Sequence, residues 1–485
     1  MQRLSIYLFI FSIYTTINKA AAQQIQERSS AYPPGTTDPE VKPDSVTSAP
    51  FIVRNIVITG NRKTKESVIL REIPFKPGDH FQLQQLVKKF EDARKQLMNT
   101  TLFHEVIVAL KSFEGNYVDV MVDVKERWYI FPIPYFRVVD RNLNQWVVQD
   151  KATLSRVNYG LKLMYNNVTG YNDKLNVWLM SGYTKQISMS YDRLYFDKRM
   201  KWGGRFGFAL GKNREVNYNT IDNKQVFLKD ENSFIHSFFT GNLEVSYRRA
   251  IKTRHRFGIA YTEDNVQDTI VKLNPSYFLT GRTSIRYPEL YYNMSYHNVD
   301  YIPYPLKGFE TEVNFSKKGF NHLVNVWELT TTTGNYFQLF PKTYLGFNTA
   351  ADLKLPFKQP FFTTHLMGYG EMYMPGYEYY VIDGVAGGFA KATLSRQLAA
   401  FKINIRQIKN ATIDYIPFRI YGKIYGDAGY VYNPQPGTNF LNNRMLYSWG
   451  FGVDIVTIYD ISLKLECSFN QLGQNGLYLH RNNNF

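Results

Sequence analysis

The chain has 485 residues, one cysteine, 37 tyrosines, 35 phenylalanines and a formal net charge of +16. A single cysteine excludes an internal disulfide framework. A mean hydropathy of −0.33 excludes a bundle of membrane helices. The positive charge reads as a solvated basic loop surface, since no nucleic-acid motif accompanies it.

Met1–Ala22 has the form of a secretory signal. Arg3 precedes a short apolar core, Leu4–Tyr14, and Ala20-Ala21-Ala22 offers a small-residue cleavage site. No later stretch approaches about 18 consecutive apolar residues. Residues 23–50, rich in Pro, Ser and Thr, read as a flexible polar tether.

Residues 51–128 read as a separate α+β unit of order β-α-α-β-β. Phe51–Thr59 is a strand ending at Gly60-Asn61. Thr64 is placed to cap a short helix that Pro74 stops, and Asp79 with Gln82 resembles a capping box for a second helix. Leu83, Leu86, Val87, Phe90, Ala93 and Leu97 give that helix one apolar stripe. Two alternating strands follow, the second carrying Val118, Val120, Val122 and Val124. Residues 129–150, with Pro132 and Pro134, read as a linker.

From about Ser155 alternation is the rule. Sets such as Phe206, Phe208, Leu210 and Phe451, Val453, Ile455 put every second residue on an apolar face. The opposite faces carry glycine, serine and both signs of charge, as Ser462, Lys464 and Glu466 do against Ile461, Leu463 and Leu465. That contrast fits a wet lumen opposite a lipid face, and the aromatic excess fits interface girdles. At about 10 residues per strand and about 10 per connection, residues 151–485 hold about 16 strands. Such a sheet must close, because an open edge cannot lie in lipid. The fold class is mostly β: an antiparallel transmembrane β-barrel behind one small α+β domain.

IVITGNRKTKESVILREIPFKPGD, TLFHEVIV and VDVMVDVKERW resemble a POTRA (polypeptide-transport-associated) domain. GDAGYVYN, SWGFGVDIV and YDISLKLECSFN are similar to the closing strands of the BamA/TamA outer-membrane assembly superfamily. The resemblance implies one periplasmic POTRA domain and a 16-stranded bacterial outer-membrane barrel that inserts or translocates other polypeptides. It implies that clients add to the POTRA edge at Tyr117, Val118, Val120, Val122 and Val124, an edge being a template for pairing. It also implies a lateral seam between the first and last barrel strands, marked by Tyr159, Leu161, Leu477 and Leu479, with Phe485 as terminal insertion signal.

The family's lumen loop corresponds to Gly376–Ala390, with its motif at Val381, Ile382, Asp383 and Gly384. Asp383 stands where the family has an arginine that pairs with the barrel-wall motif, here Asp427 and Gly429. Either Arg396 or Arg406 substitutes, or the loop is held differently. Implied partners are unfolded outer-membrane or secreted polypeptides, outer-membrane lipid and accessory lipoproteins, with no nucleic acid. No enzyme motif, metal site or cofactor is expected: neither a Gly-x-Ser-x-Gly elbow nor a His-Glu-x-x-His pair occurs. The alternative reading is a passive outer-membrane channel or surface receptor with a POTRA guide domain.

Overall fold

The computed structural model describes residues 50–138, 157–279, 281–370, 372–404 and 415–482. The expected signal segment, the tether up to residue 49, Arg406 and Phe485 lie outside them.

The N-terminal domain comprises β1 (Phe51–Thr59), α1 (Glu66–Glu72), β2 (His80–Phe81), α2 (Leu83–Asn99), β3 (Phe103–Glu114) and β4 (Tyr117–Glu126). Its sheet order is β2-β1-β4-β3, with β1 and β4 parallel. Val118, Val120, Val122 and Val124 are fully buried and pack with Val68 and Ile69 of α1 and Leu86, Ala93 and Leu97 of α2. Gly60 ends β1 at φ +81, where a Cβ would lie 2.0 Å from the carbonyl oxygen of Val124. Only glycine fits that turn.

Two expected caps fall elsewhere. Lys65, not Thr64, precedes α1 and makes no side-chain cap. Gln82 and Gln85 form the capping box of α2, while Asp79 accepts from the backbone N–H of Lys76.

The strands that follow are β5 (Ile130–Val138), β6 (Val157–Asn166), β7 (Lys174–Gly182), β8 (Thr184–Arg193) and β9 (Trp202–Asn213). A hairpin outside the main sheet follows, β10 (Glu215–Ile221) with β11 (Lys224–Lys229). Next come β12 (His236–Tyr247), β13 (Thr253–Val266), the short α3 (Asp268–Leu273), β14 (Ser284–Val299), β15 (Gly308–Lys318), β16 (Val326–Phe340) and β17 (Thr343–Leu355). The small pair β18 (His365–Met367) and β19 (Ile382–Asp383) lies in the long loop before β20 (Ala386–Asn404). The chain ends with β21 (Tyr415–Tyr432), β22 (Met445–Val456), β23 (Ser462–Asn470) and β24 (Asn475–Asn482).

The main sheet has 16 strands, paired in sequence from β5 to β24. Neighbours are antiparallel throughout, as in β12–β13, where twelve successive pairs run from His236↔Val266 to Tyr247↔His255. The expected strand number is met, but the first strand is not at Ser155. Ile130–Val138, inside the expected linker, pairs with β6. Pro132 and Pro134 disguised it, because proline is excluded from strands except at an edge, and β5 is an edge.

Phe451, Leu465, Leu477 and Leu479 are exposed on the outer face, as a lipid face requires. The inner face carries charges that pair with each other. Lys423 Nζ lies 2.7 Å from Asp454 and 2.8 Å from Glu466, all three buried. At the foot of the barrel the N-terminal domain docks on its turns. Lys65 N–H donates to Gly170 O (3.0 Å), Arg248 Nη2 to Glu72 (2.8 Å), Tyr195 OH to Glu72 (3.1 Å) and Ile302 N–H to Asn99 (3.0 Å). Thr64 is needed there: it is buried against Tyr129 and accepts from Asn167 (2.9 Å).

Phe451→Arg, in the middle of β22 on the lipid face, is expected to destabilise the folded barrel by about 2–4 kcal/mol. Urea unfolding from lipid vesicles measures this; a change below ~0.5 kcal/mol would place Phe451 away from hydrocarbon.

Candidate functional site

Three structures converge where the sheet begins and ends. The first is the seam. β5 and β24 are the two ends of the 16-strand order, and among the described residues no register joins them. Leu477 and Leu479 stand on β24 and face outward. Tyr159 and Leu161 also face outward, but on β6, one strand inside the seam. The expectation that they line it is therefore corrected: β5 intervenes.

The second is a clasp at the foot of the seam. Arg127, between β4 and β5, meets Asp460 in the turn after β22 through two hydrogen bonds of 2.7 and 3.0 Å. Their side chains are 7% and 4% exposed. Arg127 Nε also donates to Phe103 O (2.8 Å), and Tyr301 OH donates to Asp460. Phe131 of β5 stacks edge-on against Tyr459 at 5.4 Å. Sequence alone did not mark this pair, since 333 residues separate its members.

The third is the lumen loop, residues 356–385, between β17 and β20. It is shorter at its end than the sequence implied, because Ala386–Ala390 already belong to β20. Asp383 is buried, accepts from Tyr369 OH (2.8 Å), and its carbonyl accepts from Asn442 (2.7 Å) and Asn433 (3.1 Å). Val381 is tied to Asn223 by N–H donation to its carbonyl (2.9 Å) and by acceptance from Asn223 Nδ2 (3.2 Å). Ile382 is buried beside Val431 and Leu441. At Gly384 a Cβ would lie 2.4 Å from Val431, so the close approach to β21 needs glycine.

Asp427 is buried on β21, accepts from Ser448 (3.2 Å) and stands opposite Lys391 in register. Gly429, two pairs along on the same face, leaves room for Met374 of the loop. Arg396 cannot reach Asp427, because it lies five residues from Lys391 on the same unbroken ladder and so on the other face. Among the described residues the loop is held by the last strands. Asn470 Nδ2 donates to Gly376 O (2.6 Å), Tyr377 OH to Tyr447 O (3.1 Å) and Gln474 Nε2 to Tyr380 OH (2.8 Å). His480 of β24 bonds Glu466, lies 3.7 Å from Glu378 and stacks on Tyr373 at 4.9 Å.

The expected POTRA edge is also corrected. β4 pairs with β1 on one side and β3 on the other, so Val118, Val120, Val122 and Val124 offer no free backbone and their side chains fill the core. Tyr117, at the hairpin, is exposed. The sheet ends at β2 and β3, and the long edge strand β3 exposes Ile107, Leu110 and Phe113. Arg54 of β1 ties that region together through Asp119 of β4 (2.6 Å) and Glu114 of β3 (2.8 Å), and Ser112 donates to Asp119 (2.7 Å). The Arg54 guanidinium and the Ser112 hydroxyl hold the Asp119 carboxyl well below the usual carboxylate range.

Residues 51–127 match the POTRA family model, described as "Surface antigen variable number repeat". Two curated relatives named outer membrane protein assembly factor BamA extend the match. One, from Neorickettsia risticii, is 24% identical over 46% of this chain and 32% of its own length. The other, from Buchnera aphidicola, is 26% identical over 50% and 34%. Residues 51–127 are a POTRA domain, and the chain is similar to the BamA-type outer-membrane assembly factors. The POTRA match lies ahead of the barrel, and the chain spans about a third of the length of these curated relatives. It is an outer-membrane protein with its POTRA domain in the periplasm, so the clasp and the docked turns face the periplasm. Members of the superfamily are assembly and transport proteins rather than enzymes. Among solved structures it is similar to Haemophilus ducreyi BamA lacking POTRA domains 1-3 (15% identity, 89% of this chain, 83% of that one, TM-score 0.49). It is also similar to Escherichia coli CdiB (10% identity, 96% and 97%, TM-score 0.48).

Arg127→Ala is expected to cost about 3–5 kcal/mol by leaving Asp460 buried and unpaired. The double variant Arg127→Met with Asp460→Leu is expected to recover most of it, read by unfolding in denaturant. Asp119 is expected to stay ionised below the unfolded value of about 3.9. Because its folded value is lowered, its contribution is full above the unfolded value and is lost as pH falls toward the folded one. A carboxyl-carbon NMR titration that returns an ordinary midpoint would contradict this.

Proposed function

We propose that this chain inserts or translocates other polypeptides across the outer membrane by lending them strand edges. The observation that carries the reading is the sheet order, in which β5 and β24 end the barrel without a register between them among the described residues. In hydrocarbon each unmet backbone group costs several kcal/mol. A client strand entering there gains partners at each step and never exposes bare backbone to lipid. In the periplasm the β3 edge of the POTRA domain receives the extended client first, with Ile107, Leu110 and Phe113 offering apolar contact. The work is physical rather than chemical.

Relatives named as assembly factors support this reading at the level of the superfamily. The clients are unfolded outer-membrane or secreted polypeptides, and accessory lipoproteins are candidate partners on the POTRA surface. The passive-channel alternative is disfavoured by the loop that reaches into the lumen and by the POTRA domain docked on the barrel's periplasmic turns.

Depleting the protein is expected to lower a defined set of barrels or surface proteins in the outer-membrane proteome. Cysteine pairs joining Ile130 or Phe136 of β5 to Leu477 or Leu479 of β24 are expected to reproduce that loss when oxidised and to relieve it when reduced. Unchanged client levels with altered solute conductance would replace the proposal with the channel reading.

A further inference from the structure

The two lips of the seam differ in hydrogen-bonding capacity, and the difference follows from register. Asn166 N–H donates to Tyr129 O (2.8 Å). This bond continues the β5–β6 ladder by one pair beyond Ile130↔Tyr165. In an antiparallel ladder, pairs that exchange hydrogen bonds alternate with pairs that do not. Residues 131, 133, 135 and 137 therefore turn their backbone groups to β6. Residues 130, 132, 134 and 136 turn theirs to the seam. Two of those four are prolines, Pro132 and Pro134, and neither has an N–H.

The same accounting on the other lip gives the opposite result. Asn470 N–H donates to Gln474 O (3.0 Å), which continues the β23–β24 ladder by one pair beyond Phe469↔Asn475. Residues 476, 478, 480 and 482 thus face β23, and Asn475, Leu477, Leu479 and Arg481 face the seam. All four carry an N–H. β24 is also held in place from the lumen: Tyr478 packs on Tyr379 at 5.9 Å, and His480 sits between Glu466 and Glu378.

We infer that β24 is the strand on which an incoming polypeptide is templated, and that β5 is a lip kept from templating by its two prolines. Closure of β24 on β5 leaves β24 carbonyls without donors where the prolines fall. In lipid such orphans cost free energy, so the seam stays weakly sealed. A proline-free client strand on β24 meets every donor and acceptor of that edge. The strand that fits is extended and apolar on the side shared with Leu477 and Leu479, which are 70% and 69% exposed. It is small or polar on the lumen side. This inference rests on the strand-lending reading and names the lip it uses.

The test uses the full chain in lipid vesicles. The probe is a synthetic peptide of about ten alternating leucine and serine residues, one barrel strand long, with a benzophenone side chain near its centre. After illumination, adducts are mapped by mass spectrometry. They are expected within 475–482 and not within 130–138. Leu479→Pro removes one seam-facing N–H without touching the β23 ladder, and is expected to lower the yield about tenfold. Pro132→Val with Pro134→Val restores two donors, and is expected to bring new adducts to β5. The two variants are independent, so a folding failure of the first leaves the second decisive. Adducts on β5 of the unaltered chain at or above those on β24 would overturn the inference and leave the seam reading standing. Adducts on neither strand, in either the unaltered chain or the proline double variant, would overturn both.

Discussion

A backbone amide in hydrocarbon has no water to turn to, and this requirement organises most of the molecule. It explains why each strand of the main sheet pairs with the next in sequence and why the outer face alternates apolar side chains. It also makes the junction of β5 and β24 the one place where the wall's own chemistry is incomplete among the described residues. The supports described above cluster there: the Arg127–Asp460 clasp below and the loop contacts to Tyr478 and His480 inside.

Those supports hold the seam's surroundings without sealing it. The clasp joins the root of β5 to the turn after β22, so it spans the foot of the seam, and among the described residues no register pairs β5 with β24. The loop grips β24 by side chains that point inward, again leaving its outer backbone available. Burial makes the clasp strong in one sense only. Two charges removed from water gain little over a well-packed apolar pair, yet either one alone is costly. The POTRA domain and the barrel are thereby committed to one arrangement at that point rather than merely attracted.

The long loop before β20 is anchored by polar side chains. Asp383 makes no ion pair with Asp427; its neighbours are a tyrosine hydroxyl and two asparagine amides. Gly384 is needed because β21 passes too close for any side chain. Further anchors are Asn470, Gln474 and His480, which lie on or beside the last two strands. An arginine-centred comparison would miss this, since these anchors are polar residues with no motif of their own.

Much of the architecture was written locally and so was legible in the chain. Alternation reports which face of a strand is wet, whatever its neighbours are. The helix stripe at Leu86, Phe90, Ala93 and Leu97 (though Leu83 and Val87, expected on it, are exposed), the Gly60 turn and the strands of residues 451–469 all follow from such short-range patterns. What the chain could not declare was pairing. β5 was hidden because two prolines argue against a strand until its position at an edge is known. The resemblance put a free edge at β4, and alternation could not correct it, being the same for a central strand; only the parallel partner β1 shows that β4 is enclosed. The Arg127–Asp460 clasp and the anchors of the lumen loop join residues far apart in sequence, and no local pattern encodes a contact of that kind. Periodicity is a property of one strand, whereas edges, seams and clasps are properties of the whole sheet, and only the tertiary structure decides them.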